Sequence, residues 1–243
     1  MKNQIFIQAR MDSSRFPGKI LKKIHDKSIL ELIVERCKNI ENMNKIILVT
    51  GQFDKNKQLI TESEKLKIEH FCGSEQNILD RMYEASLVFK PDNIIHLTGD
   101  NPLIDFNLIN KGMKIFLKGN YDVLSINRYQ TYPKGLNFAI FSNKVLTKEW
   151  KNNLNNYTTK KDFKNTFLSV GRLLAENTSY HHYDLKHDGD LSNLRFTLDY
   201  PEDYEFITKI YDYLDDLKNN FGLEDILELL SNKPDLINIK KNM

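Results

Sequence analysis

Three short apolar runs recur along the first hundred residues, and helical segments separate them. The runs are QIFIQA at 4–9, KIILVT at 45–50 and NIIHL at 93–97. Bare hydrophobic runs of this length are typical of strands that are buried on both faces of a parallel sheet. The intervening segments 26–39, 54–65 and 75–89 are interpreted as helices. This alternation predicts an α/β fold with a doubly wound, mostly parallel, Rossmann-like sheet.

The second half of the chain predicts shorter and less regular elements. Strands are predicted at 122–127, 136–141, 180–184 and 195–198, and helices at 105–117, 144–154, 161–177, 201–217 and 221–230. We find no internal repeat and no linker long enough to divide the chain, so a single domain of residues 1–243 is expected. The turn-rich stretch 128–190 is interpreted as an inserted lid or dimerisation lobe.

Composition narrows the class of protein. The net charge is +2, whereas a protein that coats nucleic acid usually carries a larger, clustered positive excess. The apolar run at 5–7 is too short for a signal peptide or a membrane span. The two cysteines, Cys37 and Cys72, form neither a disulfide framework nor a metal-ligand spacing. We therefore expect a cytoplasmic protein that binds neither nucleic acid nor membranes.

A cationic loop follows the first predicted strand. It reads RMDSSRFPGK and places Arg10, Arg15 and Lys19 within ten residues, together with Ser13 and Gly18. Arginine forks, a lysine charge and free backbone N–H groups are what a triphosphate requires, although the spacing of a Walker motif is absent. Spacing alone leaves a solvated basic turn as an equal alternative.

Two aspartates stand at the ends of predicted strands. Asp100 lies in the turn TGDNPL after the strand at 93–97, and Asp199 follows the short strand at 195–198. Mg²⁺ is commonly bound by one or two carboxylates and keeps phosphate oxygens and waters as its other ligands. Each aspartate could instead be the N-cap of the helix that follows it. For the helix after the TGD turn, Asp105 is a better N-cap candidate than Asp100.

Five segments together resemble the SpsF-type cytidylyltransferases, which are relatives of the CMP-Kdo and CMP-acylneuraminate synthetases. In chain order they are QARMDSSRFPGKIL, SEQNILDRMYEA, HLTGDNPLID, TYPKGLNFAIF and LRFTLDYPEDYEFITKIY. The resemblance covers nearly the whole chain and implies a fold of the nucleotide-diphospho-sugar transferase type. It also implies transfer of CMP from CTP to a sugar-like acceptor with release of pyrophosphate, for surface glycan biosynthesis, by a Mg²⁺-dependent homodimer.

The resemblance also assigns roles to individual residues. It implies a catalytic part for Arg10, Arg15, Lys19 and Asp100, and Mg²⁺ ligation by Asp100 and Asp199. The implied nucleotide-binding residues are Gln8, Ala9, Arg10, Ser13, Ser14, Arg15, Lys19, Ser74, Asn77, Arg81, Thr98 and Asp100. The implied acceptor-binding residues are Tyr132, Pro133, Gly135 and Asn137.

The chain departs from the family pattern on the acceptor side. His96 stands where the family usually has arginine, and Asn137 and Ala139 replace two acidic residues. The family's Glu-x-His-Val-Thr segment is not visible in residues 160–169. We expect a changed acceptor, because both presumed metal carboxylates persist. The alternatives are a catalytically weak nucleotide-binding module that acts through a partner, and a glycosyltransferase that uses a nucleotide-sugar.

Overall fold

The computed structural model describes residues 1–13, 15–156 and 169–239. Its strands are β1 (Asn3–Gln8), β2 (Lys23–Ile24), β3 (Lys27–Ser28), β4 (Lys45–Thr50), β5 (Glu69–Cys72), β6 (Asn93–Thr98), β7 (Val123–Ser125), β8 (Ala139–Ser142) and β9 (His182–Asp184). Its helices are α1 (Ile29–Cys37), α2 (Phe53–Lys65), α3 (Ile78–Phe89), α4 (Phe106–Lys118), α5 (Asn143–Asn156), α6 (Val170–Glu176), α7 (Pro201–Tyr213), α8 (Leu223–Asn232) and α9 (Asp235–Asn238).

A seven-stranded sheet in the order β5-β4-β1-β6-β8-β7-β9 organises the described chain. β1 pairs in parallel with β4 and β6, and β4 pairs in parallel with β5. β8 is antiparallel to both of its neighbours, which leaves β7 parallel to β6 and β9 parallel to β7. The predicted mostly parallel sheet is confirmed, and one edge of it carries the carboxyl ends of every strand but β8.

Capping side chains set where three of the helices begin. Ser28 Oγ accepts the N–H of Glu31 at the start of α1, and Asn77 Oδ1 caps α3. Asp105 Oδ1 accepts the N–H of Leu108 at the start of α4, so the predicted capping role of Asp105 is confirmed. These short polar side chains satisfy N–H groups that have no partner within the helix.

Apolar clusters cover both faces of the sheet. One lies under α1, α4, α7 and α8, and the other lies under α3, α5 and α6. Arg36 of α1 is fully buried in the first cluster, where its guanidinium donates to the carbonyls of Ile104, Asn219 and Phe221. Arg36 thereby ties the segment after the TGD turn to the start of α8.

Two sequence expectations need correction at element boundaries. Residues 195–198 do not form a strand, because their strand pairing with the rest of the described chain is limited to one bridge between Lys134 and Arg195. The helix predicted from residue 26 begins at Ile29, since His25 and Asp26 form the turn of a small hairpin with φ values of 48° and 66°. Such left-handed pairs suit a two-residue hairpin turn.

The stretch 128–190 contributes directly to the sheet. Strands β8 and β9 both lie within it and pair with β6 and β7. Only the rest of this stretch is therefore available as a lid or dimerisation lobe, and that role stays a prediction. Part of the helix expected at 161–177, together with most of residues 160–169, lies outside the described residues.

Candidate functional site

A cavity of about 420 Å³ opens at the carboxyl edge of the sheet, between the ends of β1 and β6. Its lining residues come from the first loop, the TGD turn and three more distant segments. They are Gln8, Ala9, Arg10, Asp12, Ser13, Arg15, Lys19, Ile20, Ile78, Thr98, Gly99, Asp100, Ser169 and Asp199. Open α/β sheets bind ligands beyond the carboxyl ends of their strands, so this cavity is the candidate active site.

The first loop folds back on itself before its lysine. The N–H of Gly18 donates to the carbonyl of Met11 at 3.2 Å, and Gly18 adopts a φ of 68°. Glycine enters this left-handed region without the steric cost of a Cβ atom. The turn directs Lys19 into the cavity, where its side chain is only 12% exposed. Ser14, which the resemblance placed on the triphosphate, lies outside the described residues.

The Lys19 ammonium lies between the two predicted metal carboxylates. Its Nζ atom is 3.0 Å from Asp199 Oδ1 and 3.7 Å from Asp100 Oδ2, and it also donates to the carbonyl of Leu198. The structure therefore brings together three site residues that the sequence had placed far apart.

Asp199 is the most heavily paired carboxylate of the cavity. Besides Lys19, it contacts Arg15 Nη2 at 2.7 Å and Arg195 Nη2 at 3.2 Å. Burial alone would raise the pKa of Asp199, but the hydrogen bond and charge of Lys19, with the charges of both arginines, hold it below its ordinary value. Asp199 is thus ionised at neutral pH and balances a cationic cluster.

The carbonyl and carboxylate of Asp100 are both fixed. Thr98 Oγ1 donates to Asp100 Oδ1 at 2.5 Å. The carbonyl oxygen of Asp100 accepts from the N–H of Leu198 at 2.7 Å and from Thr197 Oγ1 at 3.2 Å. Backbone contacts therefore join the turn that carries Asp100 to the segment that carries Asp199.

A buried carboxylate, Asp203, sets the backbone around Asp199. Asp203 Oδ2 accepts the N–H groups of Asp199 and Tyr200, each within 3.0 Å, and Arg195 Nη2 at 2.8 Å. The cap at the start of α7 is therefore built by Tyr200 and Asp203, so capping does not account for Asp199. Sequence reasoning missed Asp203, although an acid at the third helix position is a capping signal.

The two carboxylates suit a divalent cation. Mg²⁺ binds through one or two carboxylates and completes its shell with phosphate oxygens and water. Lys19 shows that a positive charge is accommodated between Asp100 and Asp199. Both oxygens of Asp199 contact cationic side chains, so a metal at this position requires Lys19 to move.

Arg10 is held at the other side of the cavity. Its Nη1 atom donates to the carbonyl of Glu75 at 2.8 Å and lies 3.3 Å from Glu75 Oε1. Glu75 stands in one of the segments that carry the resemblance, but its residue type and spacing alone do not single it out.

Three nucleotide-binding predictions fall beside the cavity. Ser74 Oγ accepts the N–H of Asn77, Asn77 caps α3, and Arg81 is fully buried. Arg81 Nη1 donates to the carbonyl of Ser74, while its Nε and Nη2 atoms have no hydrogen-bond partner within the described ranges. Burial and the charge of Arg10 lower the pKa of Arg81 to about 10. Of this region, the described cavity lining includes Ile78 but not Ser74, Asn77 or Arg81. Contact of these three residues with a nucleotide stays a prediction.

The acceptor-side predictions map to a neighbouring turn. Tyr132 lines a second cavity of about 400 Å³ with Asp105 and His187, and Pro133 is buried. Gly135 has a φ of 107°, and a Cβ atom there would lie 2.4 Å from the backbone of Phe196. The turn therefore supports the segment that leads to Asp199, and direct contact with an acceptor stays a prediction.

Asn137 braces the same turn through its amide. Its Oδ1 atom accepts the N–H of Gly135 at 3.0 Å. Its Nδ2 atom donates to Asn127 Oδ1 at 2.6 Å and to Gln130 Oε1 at 3.2 Å. A carboxylate at this position could not supply the two donated hydrogen bonds, which gives a physical reason for the asparagine.

His96 is a core residue that contacts the cavity wall from behind. It is buried opposite Ala139 in the sheet, and its Nε2 atom lies 2.9 Å from Gln8 Oε1. Burial, with the charge of Arg81, lowers the pKa of His96 to about 4. The ring is therefore neutral near pH 7 and braces Gln8.

Comparison with known proteins identifies the family of the chain. The sequence model of the family described as cytidylyltransferase matches residues 4–229. An uncharacterised protein of Methanocaldococcus jannaschii is 32% identical over 98% of this chain and 93% of its own length. The chain belongs to the cytidylyltransferase family, and its fold is that of a nucleotidyltransferase.

Named relatives match about half of the chain. The spore coat polysaccharide biosynthesis protein SpsF of Bacillus subtilis is 34% identical over 48% of both chains. A 3-deoxy-manno-octulosonate cytidylyltransferase of Christiangramia forsetii is 32% identical over 54% of this chain and 52% of its own. A solved cytidylyltransferase from Leptospira borgpetersenii superposes with a TM-score of 0.86 at 27% identity, covering 98% of this chain and 97% of that one.

No helix in the described ranges is both long and apolar enough to span a membrane.

Proposed function

We propose that the chain transfers CMP from CTP to a sugar, sugar-acid or sugar-phosphate acceptor and releases pyrophosphate. The observation that carries the proposal is the position of Lys19, which lies 3.0 Å from Asp199 and 3.7 Å from Asp100 in the cavity at the carboxyl edge. Arg10 and Arg15 line the same cavity, so cations and carboxylates suited to a metal-bound triphosphate face one space.

The reaction needs positioning more than a protein nucleophile. An acceptor oxygen attacks the α-phosphorus of CTP, the bond from that phosphorus to the β-phosphate oxygen breaks, and pyrophosphate leaves with the electron pair. The acceptor proton passes to solvent. Arg15 and Lys19 would stabilise the charge that gathers on the departing pyrophosphate, because preorganised cations act most strongly where charge develops.

Asp100 and Asp199 would hold the divalent cation, with Mg²⁺ as the proposed ion. When bound, such an ion neutralises phosphate charge and reduces its repulsion of the incoming oxygen. Lys19, which contacts both carboxylates in the structure, would then be available to the phosphates. Arg195 and Asp203 would keep Asp199 in place, since Arg195 contacts its carboxylate and Asp203 accepts its backbone N–H.

The names of two relatives support the proposed acceptor class. Their names specify 3-deoxy-manno-octulosonate as a cytidylyl acceptor in one case and spore coat polysaccharide biosynthesis in another. The neutral amide at Asn137 supports a changed hydroxyl or phosphate pattern on the acceptor, whereas Ala139 is fully buried in β8 and gives no information on the acceptor. We further propose a cytoplasmic homodimer of single-domain chains, with the part of 128–190 outside the sheet at the lid or the interface.

Pyrophosphate release tests the proposal. The purified protein is incubated with Mg²⁺, each of the four ribonucleoside triphosphates and a panel of sugar, sugar-acid and sugar-phosphate acceptors. CTP should support release with at least one acceptor, and Asp100→Asn should abolish it. Lys22→Ala is a control for charge changes outside the cavity, because Lys22 follows the first loop but packs on Phe16 and Tyr204.

Other outcomes select the alternatives. Calorimetric CTP binding that is indifferent to Mg²⁺, without turnover on any acceptor, would indicate a nucleotide-binding module. Hydrolysis of a nucleotide-sugar in preference to CTP would indicate a glycosyltransferase. Absence of nucleotide binding altogether would reject the assignment of the cavity.

A further inference from the structure

The carboxylate of Glu75 is a hydrogen-bonding centre beside the cavity. Its side chain is 10% exposed and stands in the loop between β5 and α3. Oε2 accepts from the N–H of Gln52 at 2.8 Å and from Asn56 Nδ2 at 3.2 Å, while Oε1 lies 3.3 Å from Arg10 Nη1. One carboxylate therefore joins the loops that follow β1, β4 and β5.

Asn56 extends this contact to the backbone of the first loop. Its Oδ1 atom accepts the N–H of Met11 at 2.9 Å, and its Nδ2 atom donates to the carbonyl of Gln52 at 2.9 Å as well as to Glu75. Asn56 is fully buried and departs from helical geometry inside α2, with φ −118° and ψ 15°. The first loop is thus held at a side chain, Arg10, and at the adjacent backbone N–H.

Gly51 leaves the space that the Glu75 carboxylate occupies. A Cβ atom at position 51 would lie 1.9 Å from Glu75 Oε2, far inside contact distance. An alanine there would displace the carboxylate, which is the mobile end of a side chain, rather than backbone. Gly51→Ala is therefore a second substitution that should displace the carboxylate without changing Glu75 itself.

Charge explains why this position favours a carboxylate. Arg10 and the buried Arg81 are close enough for the charge of Arg10 to lower the pKa of Arg81, and Glu75 acts in the opposite direction. Without Glu75, the two guanidiniums would repel each other across a poorly solvated space. The carboxylate therefore fixes Arg10 both by hydrogen bonding and by offsetting that repulsion.

We propose that Glu75 is a positioning residue that holds Arg10 and the Met11 backbone in the geometry that receives the triphosphate. This inference rests on the proposed function, since it assigns Glu75 a role through Arg10 in nucleotide binding. The carboxylate acts on the loop and does not itself touch the nucleotide.

A double-mutant cycle with CTP and Mg²⁺ tests the inference. Glu75→Gln replaces one acceptor oxygen with a donor and removes the charge, so the Kd for CTP should rise roughly tenfold. Arg10→Ala should cost roughly tenfold in the wild-type background but less than about twofold beside Glu75→Gln, because coupled residues are not additive. Gly51→Ala should reproduce the Glu75→Gln effect. Glu84→Gln, an equal charge change on the exposed face of α3, should leave the Kd unchanged.

Amide hydrogen exchange separates this inference from the proposed function. Without nucleotide, Glu75→Gln should accelerate exchange at Met11 and Gln52 relative to wild type. The inference would be overturned if the increases in Kd caused by Glu75→Gln and Arg10→Ala were additive. Tighter CTP binding by Glu75→Gln would also overturn it, because Glu75 would then keep Arg10 away from the nucleotide. If wild type binds no nucleotide, the proposed function fails, and unchanged exchange at Met11 would then also reject the positioning of the loop.

Discussion

Lys19 and Asp199 are separated by 180 positions in the chain and by 3.0 Å in the fold. The lysine belongs to the loop after the first strand, and the aspartate precedes α7 near the far end of the described chain. Their contact is possible because the TGD turn hydrogen-bonds to Thr197 and Leu198 from the adjacent strand end.

Substitution of Lys19 should separate activity from stability. Lys19→Ala removes a cation proposed to act on the phosphates, so kcat/KM for CTP should fall by roughly 10²–10³. Asp199 keeps Arg15 and Arg195, so the unfolding midpoint in urea should change little. Steady-state kinetics and urea titration measure the two quantities. An intact kcat/KM would remove Lys19 from the mechanism.

His96 should make the fold sensitive to mild acid. Its pKa in the folded protein is about 4, below the ordinary value of 6.5, so the unfolded chain binds a proton first as pH falls. Stability is therefore full above pH 6.5 and declines down to pH 4, by on the order of 3 kcal/mol from this group. Urea unfolding of wild type and His96→Gln across this range measures the difference. If the free energy of unfolding fell equally with pH in both proteins, the proposed contribution of His96 would be contradicted.

Arg36 should be a strong stability determinant. Arg36→Met leaves the carbonyls of Ile104 and Phe221 buried without their donors, so the free energy of unfolding should fall by about 3 kcal/mol. The cationic contact over the Phe221 ring is lost as well. Lys38→Met, on an exposed lysine next to α1, is the control and should change stability by less than about 0.5 kcal/mol. If Arg36→Met lowered the free energy of unfolding no more than the small change expected for Lys38→Met, the guanidinium contacts would not be important for stability.

The amide of Asn137 should not be replaceable by an acid. Asn137→Asp sets a carboxylate against Asn127 Oδ1 and Gln130 Oε1, so we expect a loss of about 1–3 kcal/mol at neutral pH. Protonation of the new carboxyl restores one donor, and the loss should shrink when the pH is lowered. Thermal unfolding at pH 7 and pH 4.5 compares the variant with wild type. A variant as stable as wild type at pH 7 would show that the turn tolerates the acidic residue usual in the family.

The parts of the fold that sequence could predict are those that local pattern determines. The bare strands β1, β4 and β6 and the cap at Asp105 have signals within a few residues. Residues 195–198 resemble a strand in composition, yet Arg195 forms a single bridge with Lys134, and Thr197 and Leu198 hydrogen-bond to the carbonyl of Asp100 in the TGD turn. Hydrophobic pattern does not encode which neighbour a segment meets.

The candidate site also contains residues that local motifs predict and residues that depend on long-range contacts. The loop at Arg10–Lys19 and the two aspartates were recognisable because their motifs follow one another in the order of the family pattern. The structure brings Lys19, Asp100 and Asp199 together. Glu75 and Asn56 were not recognisable, because their contacts depend on how the loops after β4 and β5 approach the first loop. The predicted roles of Ser74, Asn77 and Arg81 also depend on side-chain direction, which a linear motif does not give.

The hydrogen bonds between Asp100 and Thr197–Leu198 also determine at which stage of protein synthesis the candidate site can form. A nascent chain that has emerged only through α6 already carries Lys19 and Asp100, but its lysine has no Asp199 to balance it. We therefore expect the proposed triphosphate site to be completed late in synthesis, after the segment before α7 has docked on the sheet. Truncation before that segment should leave a chain with most of its strands and no competent nucleotide pocket.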